Sequence, residues 1–249
     1  MQLTEEYLDQ KLEELKEFHL IDADLYPSLD LYMDQVTTFM EQHLDPMRRN
    51  EEDKGLTKTM INNYAKSTLL PAPEKKKYTK EHLMLLMMIF YMKNVLSMTD
   101  IQSALEPLIG ESFEARRTGT DTESLEKIYR KITEGTAEIG ATVAEDAKKI
   151  RNRVSSLFPE DPELAETAFL QLFSYDMFLR KALIERMIDD RLEEQKEQKA
   201  KEAEARAAAK AEAKASAREA KLASKEAIRE AKQAVKAAAQ SPSSSSSLR

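Results

Sequence analysis

Several residue types are absent or scarce in this sequence, and each absence excludes a class of chemistry. There is no cysteine, so disulfide bonds and thiolate metal sites are excluded. None of the five glycines lies between a strand and a helix, where a phosphate-binding loop would require one. The three histidines, His19, His43 and His82, are far apart in sequence and lack metal-ligand spacing. We therefore expect no enzymatic activity, no cofactor and no metal.

Long hydrophobic runs are also missing. The longest apolar stretch, residues 83–92, is too short to cross a bilayer. An acidic, amphipathic stretch follows Met1, whereas a signal peptide would begin with a basic region and an apolar run. These features predict a soluble, cytoplasmic protein without a membrane partner.

The net charge of −7 conceals an uneven distribution. Residues 1–53 contain four basic and fifteen acidic groups, whereas residues 54–93 contain eight lysines and two glutamates, a local charge of +6. Salt screens charges beyond about 10 Å, so a phosphate near residues 54–93 would feel mainly the local charge. A nucleic-acid partner is therefore compatible with the acidic composition.

Residues 57–70 have the pattern of a DNA-recognition helix. Thr57 can cap the first turn, and the helix must end before Pro71. Met60, Ile61 and Tyr64 are predicted to face the core. On the outer face, lysines can bind phosphates and asparagines can read an adenine edge. The outer residues are Lys58, Asn62, Asn63 and Lys66.

A basic run follows this helix. Pro71 and Pro73 stiffen the chain before Lys75, Lys76, Lys77 and Tyr78. We expect the run to form a wing against the DNA backbone, and an exposed, solvated loop is the alternative. The predicted DNA-binding residues are Thr57, Lys58, Asn62, Asn63, Lys66, Lys75, Lys76, Lys77 and Tyr78.

The segments around the motif are predicted to be helical, which gives an all-α fold. Residues 4–18 and 31–44 have apolar positions at helical spacing. Residues 79–96 are apolar almost all round, which is typical of a core helix, and their methionines are interpreted as packing residues. Ser97 and Asp100 are predicted to cap a further helix that Pro107 and Gly110 end.

The blocks TKTMINNY and KKKY, with LYMDQVTTFMEQHL before them and LSMTDIQSAL after them, resemble a family of uncharacterised bacterial proteins. The core of that family is similar to the winged helix-turn-helix of MerR-type transcription regulators. The resemblance extends from about residue 29 to residue 108 and weakens towards residue 188. It implies a MerR-like DNA-binding domain at residues 29–110, in which residues 31–44 are the scaffold helix. The connection MRRNEEDKG is longer than the tight turn of MerR-type regulators.

The predicted domain is preceded by an amphipathic helix and loop at residues 1–28 and followed by a helical dimerisation or effector region at residues 111–190. This region begins with a charged connection at residues 111–117 and a linker. In the periodic stretch 123–157, Gly135 and Gly140 permit either a break or the close approach of another helix. A wide apolar stripe at residues 164–187 favours a homodimer, and a closed monomeric core or a ligand cavity are the alternatives.

The last part of the chain changes in composition. Residues 191–240 are rich in Ala, Lys and Glu and predict a long, solvent-exposed helix supported by opposite charges three or four residues apart. Their few large apolar residues do not sustain a heptad, which argues against a stable coiled coil. We favour a solvated spacer for this helix. Its thirteen basic and nine acidic groups leave an excess of positive charge, so weak attraction to DNA is the alternative. Residues 241–249 are predicted to be disordered.

Two functions from different classes follow from these patterns. The first is a transcription regulator that binds double-stranded DNA at an operator, as a homodimer, with an unknown effector. The second is a helical protein-interaction adaptor that retains the winged fold without specific DNA binding. The three consecutive lysines beside Tyr78 favour the regulator, because an adaptor does not need them.

Overall fold

A computed structural model describes residues 3–50, 52–53, 55–118 and 124–238 of the chain. Within these residues, seven α-helices and two short strands follow one another along the sequence. They are α1 (Glu5–Glu14), β1 (Leu31–Tyr32), α2 (Met33–Leu44), α3 (Lys58–Lys66), β2 (Lys77–Tyr78), α4 (Lys80–Met92), α5 (Met98–Thr118), α6 (Leu125–Leu157) and α7 (Pro162–Ala238). The fold is mainly helical and contains a long C-terminal helix, as predicted. The chain divides into two compact units, Met1–Arg191 and Leu192–Arg249.

Helix α4 is the centre of the first unit. Nine consecutive side chains, from His82 to Phe90, are buried, because α2, α6 and β2 all pack against this helix. Met84, Met87 and Met88 are buried, so their predicted role in core packing is confirmed, whereas the same prediction for Met98, just beyond the helix, is wrong because this side chain is 41% exposed. Each buried Leu, Ile, Met or Phe stabilises the fold by roughly 1.5–3 kcal/mol, which makes α4 the central apolar element.

Two buried tyrosines attach the segment before β1 to helix α6. The hydroxyl of Tyr129 donates to the carbonyl oxygen of Ile21 at 2.9 Å and accepts a hydrogen bond of 2.8 Å from the hydroxyl of Tyr26. The two rings meet edge to face, with centroids 5.6 Å apart. Burial raises the pKa of both tyrosines, that of Tyr129 to about 12. Both hydroxyls therefore remain protonated, as this hydrogen-bond chain requires.

Charged side chains reinforce the same junction at its surface. The guanidinium of Arg130 pairs with Asp24 before β1 and, at 2.7 Å, with Glu126 one turn earlier on α6. Lys80, at the start of α4, lies 3.1 Å from the Glu126 carboxylate. Hydrogen bonds from Arg130 hold the pKa values of Asp24 and Glu126 below their usual range. The network thus joins the start of α4, α6 and the segment before β1.

Helix α5 begins as predicted and continues past its predicted end. The Ser97 hydroxyl accepts from the amide of Asp100, and the Asp100 carboxylate accepts from the amide of Ser97, both at 3.2 Å. The prediction that Pro107 and Gly110 end the helix is wrong, since α5 continues to Thr118. Pro107 has no N–H for the carbonyl of Ser103, and the guanidinium of Arg191 on α7 lies 3.4 Å from that oxygen instead. A distant donor therefore compensates for the proline.

Helices α6 and α7 form the C-terminal part of the first unit. Helix α6 passes through Gly135 and Gly140 without a break, and no neighbouring atom approaches either glycine closely. The charged connection predicted at residues 111–117 belongs to helix α5. Of the linker predicted at residues 118–124, Thr118 ends α5, Ser124 caps α6 at the predicted helix start, and the residues between them lie outside the described part of the chain. A small core joins α1, α6 and α7. Its buried members are Leu8, Ala147, Val154, Ala165 and Phe169.

The second unit contains the continuation of α7 from Leu192 to Ala238. The predicted long helix is confirmed, whereas its predicted support by many ion pairs is not. Among the side chains described after Arg191, one ion pair forms, between Lys201 and Glu197 at 3.7 Å. The disorder predicted for residues 241–249 lies outside the described part of the chain. No described helix combines the length and apolar character that a membrane span requires.

Candidate nucleic-acid interface

Helix α3 occupies the position predicted for a recognition helix. The Thr57 hydroxyl accepts a hydrogen bond of 3.2 Å from the amide of Met60 and so caps the first turn. Ile61 and Tyr64 are buried, and Met60 is partly buried, so this face packs against the core as predicted. The Thr57 hydroxyl is thus engaged in the cap, and its first role is to fix where α3 begins.

The end of α3 is fixed by a residue in an unfavourable backbone conformation. Thr68 has φ +61°, which β-branched residues rarely adopt and which helix ends usually assign to glycine. The amide of Leu70 donates back to the carbonyl of Tyr64 at 3.0 Å and closes the helix end. The side-chain amide of Gln102 on α5 donates to the Thr68 hydroxyl at 2.9 Å. Helix α5 thus holds the end of α3 in place.

The outer face of α3 carries the predicted polar residues. Lys58, Asn62, Asn63 and Lys66 are all exposed, and at 100° per residue they lie within an arc of about 140°. Thr59, which sequence reasoning missed, lies in the same arc and is also exposed. The arc is therefore a continuous polar surface that can approach the edges of bases.

Lys58 differs from the other cations of this face. Its ammonium group forms an ion pair with the carboxylate of Asp34, in the first turn of α2. Both side chains are largely exposed, so the pair is weak and can exchange with a phosphate. Its structural effect is to connect the starts of α2 and α3.

The basic run forms the tip of a tight turn. The amide of Lys77 donates to the carbonyl of Glu74 at 2.9 Å, and the two residues between them, Lys75 and Lys76, have φ values of +50° and +64°. Positive φ at both central positions defines a type I′ turn, for which Asn-Gly is the favoured sequence. Two lysines in this conformation cost about 1–2 kcal/mol each. Their charged side chains are exposed at the tip.

Strand pairing fixes the base of this turn. Strand β2 pairs antiparallel with β1, with Leu31 opposite Tyr78 and Tyr32 opposite Lys77. The Lys77 ammonium lies 5.5 Å from the centroid of the exposed Tyr32 ring, a cation–π contact. Tyr32 was missed by sequence reasoning, because the pairing joins residues 45 positions apart and leaves no local signal.

Tyr78 requires a correction. The prediction placed its side chain among the DNA contacts, but the residue is only 3% exposed and its ring meets His82 edge to face at 5.6 Å. Burial raises the pKa of the Tyr78 hydroxyl. Successive side chains of a strand point to opposite sides, so Tyr78 points into the core and Lys77 points to the surface. Tyr78 therefore packs against the core at the base of the turn and supports it.

Three cations of the surface are available to a ligand. Lys66, Lys75 and Lys76 form no ion pair with any residue that the structure describes. Together with Asn62 and Asn63 they combine positive charge with groups that can both donate and accept hydrogen bonds. This is the chemistry that phosphate binding and base reading require.

A cavity of about 270 Å³ lies beside the connection between α2 and α3. The ammonium of Lys93 donates to the carbonyl of Gly55 in this connection at 3.1 Å, and burial lowers the pKa of Lys93. No described side chain of the effector region predicted at residues 111–190 lines the cavity. Its lining residues are Phe18, Met47, Asp53, Phe90, Tyr91, Lys93 and Asn94.

A second surface of the first unit is apolar. Between residues 164 and 187 of α7, ten large apolar side chains are 39% to 64% exposed. At 100° per residue, all but Leu170, Met177 and Ile184 lie within one half of the helix circumference. At about 200 Å² for a fully exposed side chain of this size, these seven side chains present roughly 750 Å² to solvent. Exposed apolar patches of that area usually mark an interface with another protein.

The histidines are not brought together at a common site. A ring nitrogen of His43 lies 2.8 Å from the carbonyl of Phe39, one turn earlier in α2. His82 accepts from the amide of Thr79 at 3.1 Å and helps to cap α4. Each of these rings therefore forms a hydrogen bond with the backbone of its own helix or of the residue that caps it.

A comparison with protein families gives a match whose ends lie at or near the two residues that the hydrogen bond between Tyr129 and Ile21 joins. Residues 21–132 match the family model described as a domain of unknown function (DUF1836). The match begins at Ile21 and ends three residues after Tyr129, whose hydroxyl bonds the Ile21 carbonyl. No curated protein and no solved structure matches the chain. The chain is thus similar to the DUF1836 family over residues 21–132.

Proposed function

We propose that this protein is a cytoplasmic, sequence-specific transcription regulator that binds double-stranded DNA through α3 and the Lys75–Lys76 turn. Helix α3 enters the major groove, where Asn62 and Asn63 read base edges. The turn contacts the phosphates beside the groove. The observation that carries this proposal is an exposed pair of cations without a described ion-pair partner, on a turn whose base contacts Tyr32, two residues from the Asp34 that pairs with Lys58 of the capped helix α3.

The order of elements supports a MerR-like winged helix-turn-helix. A scaffold helix α2, a recognition helix α3, and a turn stabilised by the β1–β2 pair follow one another, and α4 packs beneath them. The connection between α2 and α3 spans residues 45–57, longer than in a compact helix-turn-helix. Its carbonyl contact with Lys93 gives it a fixed support on α4 despite this length.

The regulator acts as a homodimer through the exposed apolar face of α7. A stable interface needs about 800 Å² from each partner, and the seven exposed side chains on one side of α7 supply roughly that area. Several charges beside this face are already paired, since Arg180 bonds Asp146 and Asp176, and Lys181 pairs with Glu185. These paired charges would not oppose the meeting of two identical faces. A two-fold protein would match a two-fold operator.

The test is binding of the purified protein to its own promoter fragment and to random DNA of equal length at two salt concentrations. The proposal expects a preference for the promoter that persists at the higher salt concentration, because base contacts depend less on salt than phosphate contacts. Equal affinity for both fragments, or no binding, would refute it.

Two substitutions separate the roles of the helix and the turn. Asn62→Ala should lower the preference for the promoter, whereas Lys76→Ala should weaken both fragments alike. Matched controls are Asn152→Ala and Lys127→Ala, since both residues are exposed on α6, away from the proposed surface. If Asn62→Ala weakens promoter and random DNA equally, α3 does not read bases.

A protein-interaction adaptor is the second candidate, and the apolar face of α7 is the observation that favours it. A protein partner other than a second copy would cover the same side chains. The adaptor predicts a monomer in solution and no effect of Lys76→Ala on any binding activity. Sedimentation of the full chain distinguishes the two candidates, since the regulator sediments as a dimer.

A further inference from the structure

Helix α7 carries a basic stripe in the second unit. From residue 206 onwards, basic residues recur at intervals of three or four positions up to residue 225. At 100° per residue, the stripe residues fall within an arc of about 120°. The described stripe residues are Arg206, Lys210, Lys214, Arg218, Lys221, Lys225 and Lys232.

Acidic residues follow a different period in the same stretch. Sequence positions 212, 219 and 226 are glutamates seven residues apart, and position 230 is also a glutamate. On the helical repeat these positions lie within about 40° of one another and about 140° to 180° from the centre of the stripe. Charge of the two signs is therefore separated on this helix, unlike in a spacer helix held together by ion pairs along each face.

The stripe cations are available to a ligand. All seven described side chains are exposed, and none forms an ion pair with a described residue. The stripe spans 26 residues from Arg206 to Lys232, a length of about 39 Å at 1.5 Å per residue. A cation therefore occurs about every 6 Å along one side of the helix.

We infer that this stripe is a second binding surface for double-stranded DNA, which contacts the phosphate backbone without reading sequence. A regularly charged polyanion is the ligand that matches a regular row of cations. An anionic membrane fits less well, because interfacial helices need a large apolar face. The large apolar residues here, Leu222, Ile228 and Val235, are isolated among alanines.

This inference rests on the proposed function, since it assigns the same partner to a second surface. The first unit supplies sequence preference, and the stripe supplies affinity for any adjacent DNA. Because the two surfaces belong to one chain, binding by one raises the effective concentration of DNA at the other. Loss of the stripe should therefore weaken promoter and random DNA by the same factor.

The test uses the full chain with the stripe neutralised in R206Q/K210Q/K214Q/R218Q. Glutamine retains helix propensity, so circular dichroism should not change. Each lost phosphate contact lowers the slope of log affinity against log salt by about 0.9, so the slope should fall by up to about 3.6 for a random 30-bp duplex. The ratio of promoter to random affinity should remain that of the parent.

A variant with two relocated lysines tests whether binding depends on the arrangement of cations along one side of the helix, because its amino-acid composition equals that of the parent. A208K/K210A/K214A/A215K moves two lysines to the acidic side of the helix without changing net charge. We expect its salt slope to fall by about 1.8, as for two lost contacts. Parent-like binding by this variant would overturn the inference, because overall charge alone would then explain the affinity.

Two further outcomes are distinguishable. If the glutamine variant binds random DNA like the parent but loses binding to vesicles of anionic phospholipid, the stripe is a membrane surface and the inference is wrong. If the glutamine variant weakens random DNA while Asn62→Ala leaves the promoter ratio unchanged, the stripe inference stands and the proposed sequence-specific function fails.

Discussion

Replacing Lys75 by Asn and Lys76 by Gly should stabilise the protein and weaken its binding to DNA at the same time. Both lysines lie in the left-handed region, which costs about 1–2 kcal/mol each for a residue with a long side chain. Asn tolerates this conformation, and Gly adopts it freely at an entropic cost of about 0.5–1 kcal/mol. The free energy of unfolding should therefore rise by about 1 kcal/mol.

The near-ultraviolet signal of tyrosine reports the unfolding of the first unit without a contribution from the second unit. All eight tyrosines lie before residue 192, and the sequence contains no tryptophan. Near-ultraviolet circular dichroism therefore follows the first unit alone during heating. A gain of about 1 kcal/mol corresponds to an increase in Tm of about 2–4 °C for a unit of this size. Two lost phosphate contacts should lower the salt slope for DNA binding by about 1.8.

The control K75Q/K76Q removes the same two charges and keeps the unfavourable conformation. It should lose as much DNA affinity as K75N/K76G, with no increase in Tm. A decrease in Tm of K75N/K76G would refute the assignment of a type I′ turn. Unchanged DNA affinity in both variants would show that the turn does not contact phosphates.

Three other predictions concern stability and assembly. Thr57→Ala should lower the free energy of unfolding in urea by about 1 kcal/mol, and Thr57→Ser should restore it, because only the hydroxyl caps Met60. Burial raises the pKa of Tyr129 from 10.0 to about 12, so its stabilising contribution is complete below pH 10 and is lost as the pH rises to 12. That loss is roughly 2–3 kcal/mol, and unfolding of Tyr129→Phe should depend less steeply on pH over the same range. Phe178→Glu should convert the dimer to a monomer in sedimentation, whereas Phe178→Leu should not; a dimeric Phe178→Glu variant would exclude this face as the interface.

Local chemistry was sufficient to predict where helices begin. Thr57 and Ser97 each have a side-chain oxygen that accepts from an amide three residues later, so the signal lies within one turn of sequence. Residues 83–90 are apolar almost all round the helix, which likewise predicted a central helix, because a helix without a polar face must be covered on every side.

Features that depend on distant partners could not be predicted. The sequence around Pro107 signals a helix end, and only the guanidinium of Arg191, 84 residues later, makes continuation acceptable. Tyr78 has the local context of an exposed basic loop, and its burial depends on pairing with Leu31.

The contact between Arg191 and the Ser103 carbonyl has a consequence for the nascent chain. Ribosomes add roughly 5–20 residues per second, so the 88 residues between these two positions take about 4–18 s to emerge. During that interval the carbonyl left free by Pro107 must be hydrated. Residues 21–132, which match the family model, can therefore close the tyrosine junction while α5 is still unprotected at its proline. The last step in folding the first unit thus awaits the final residue of that unit.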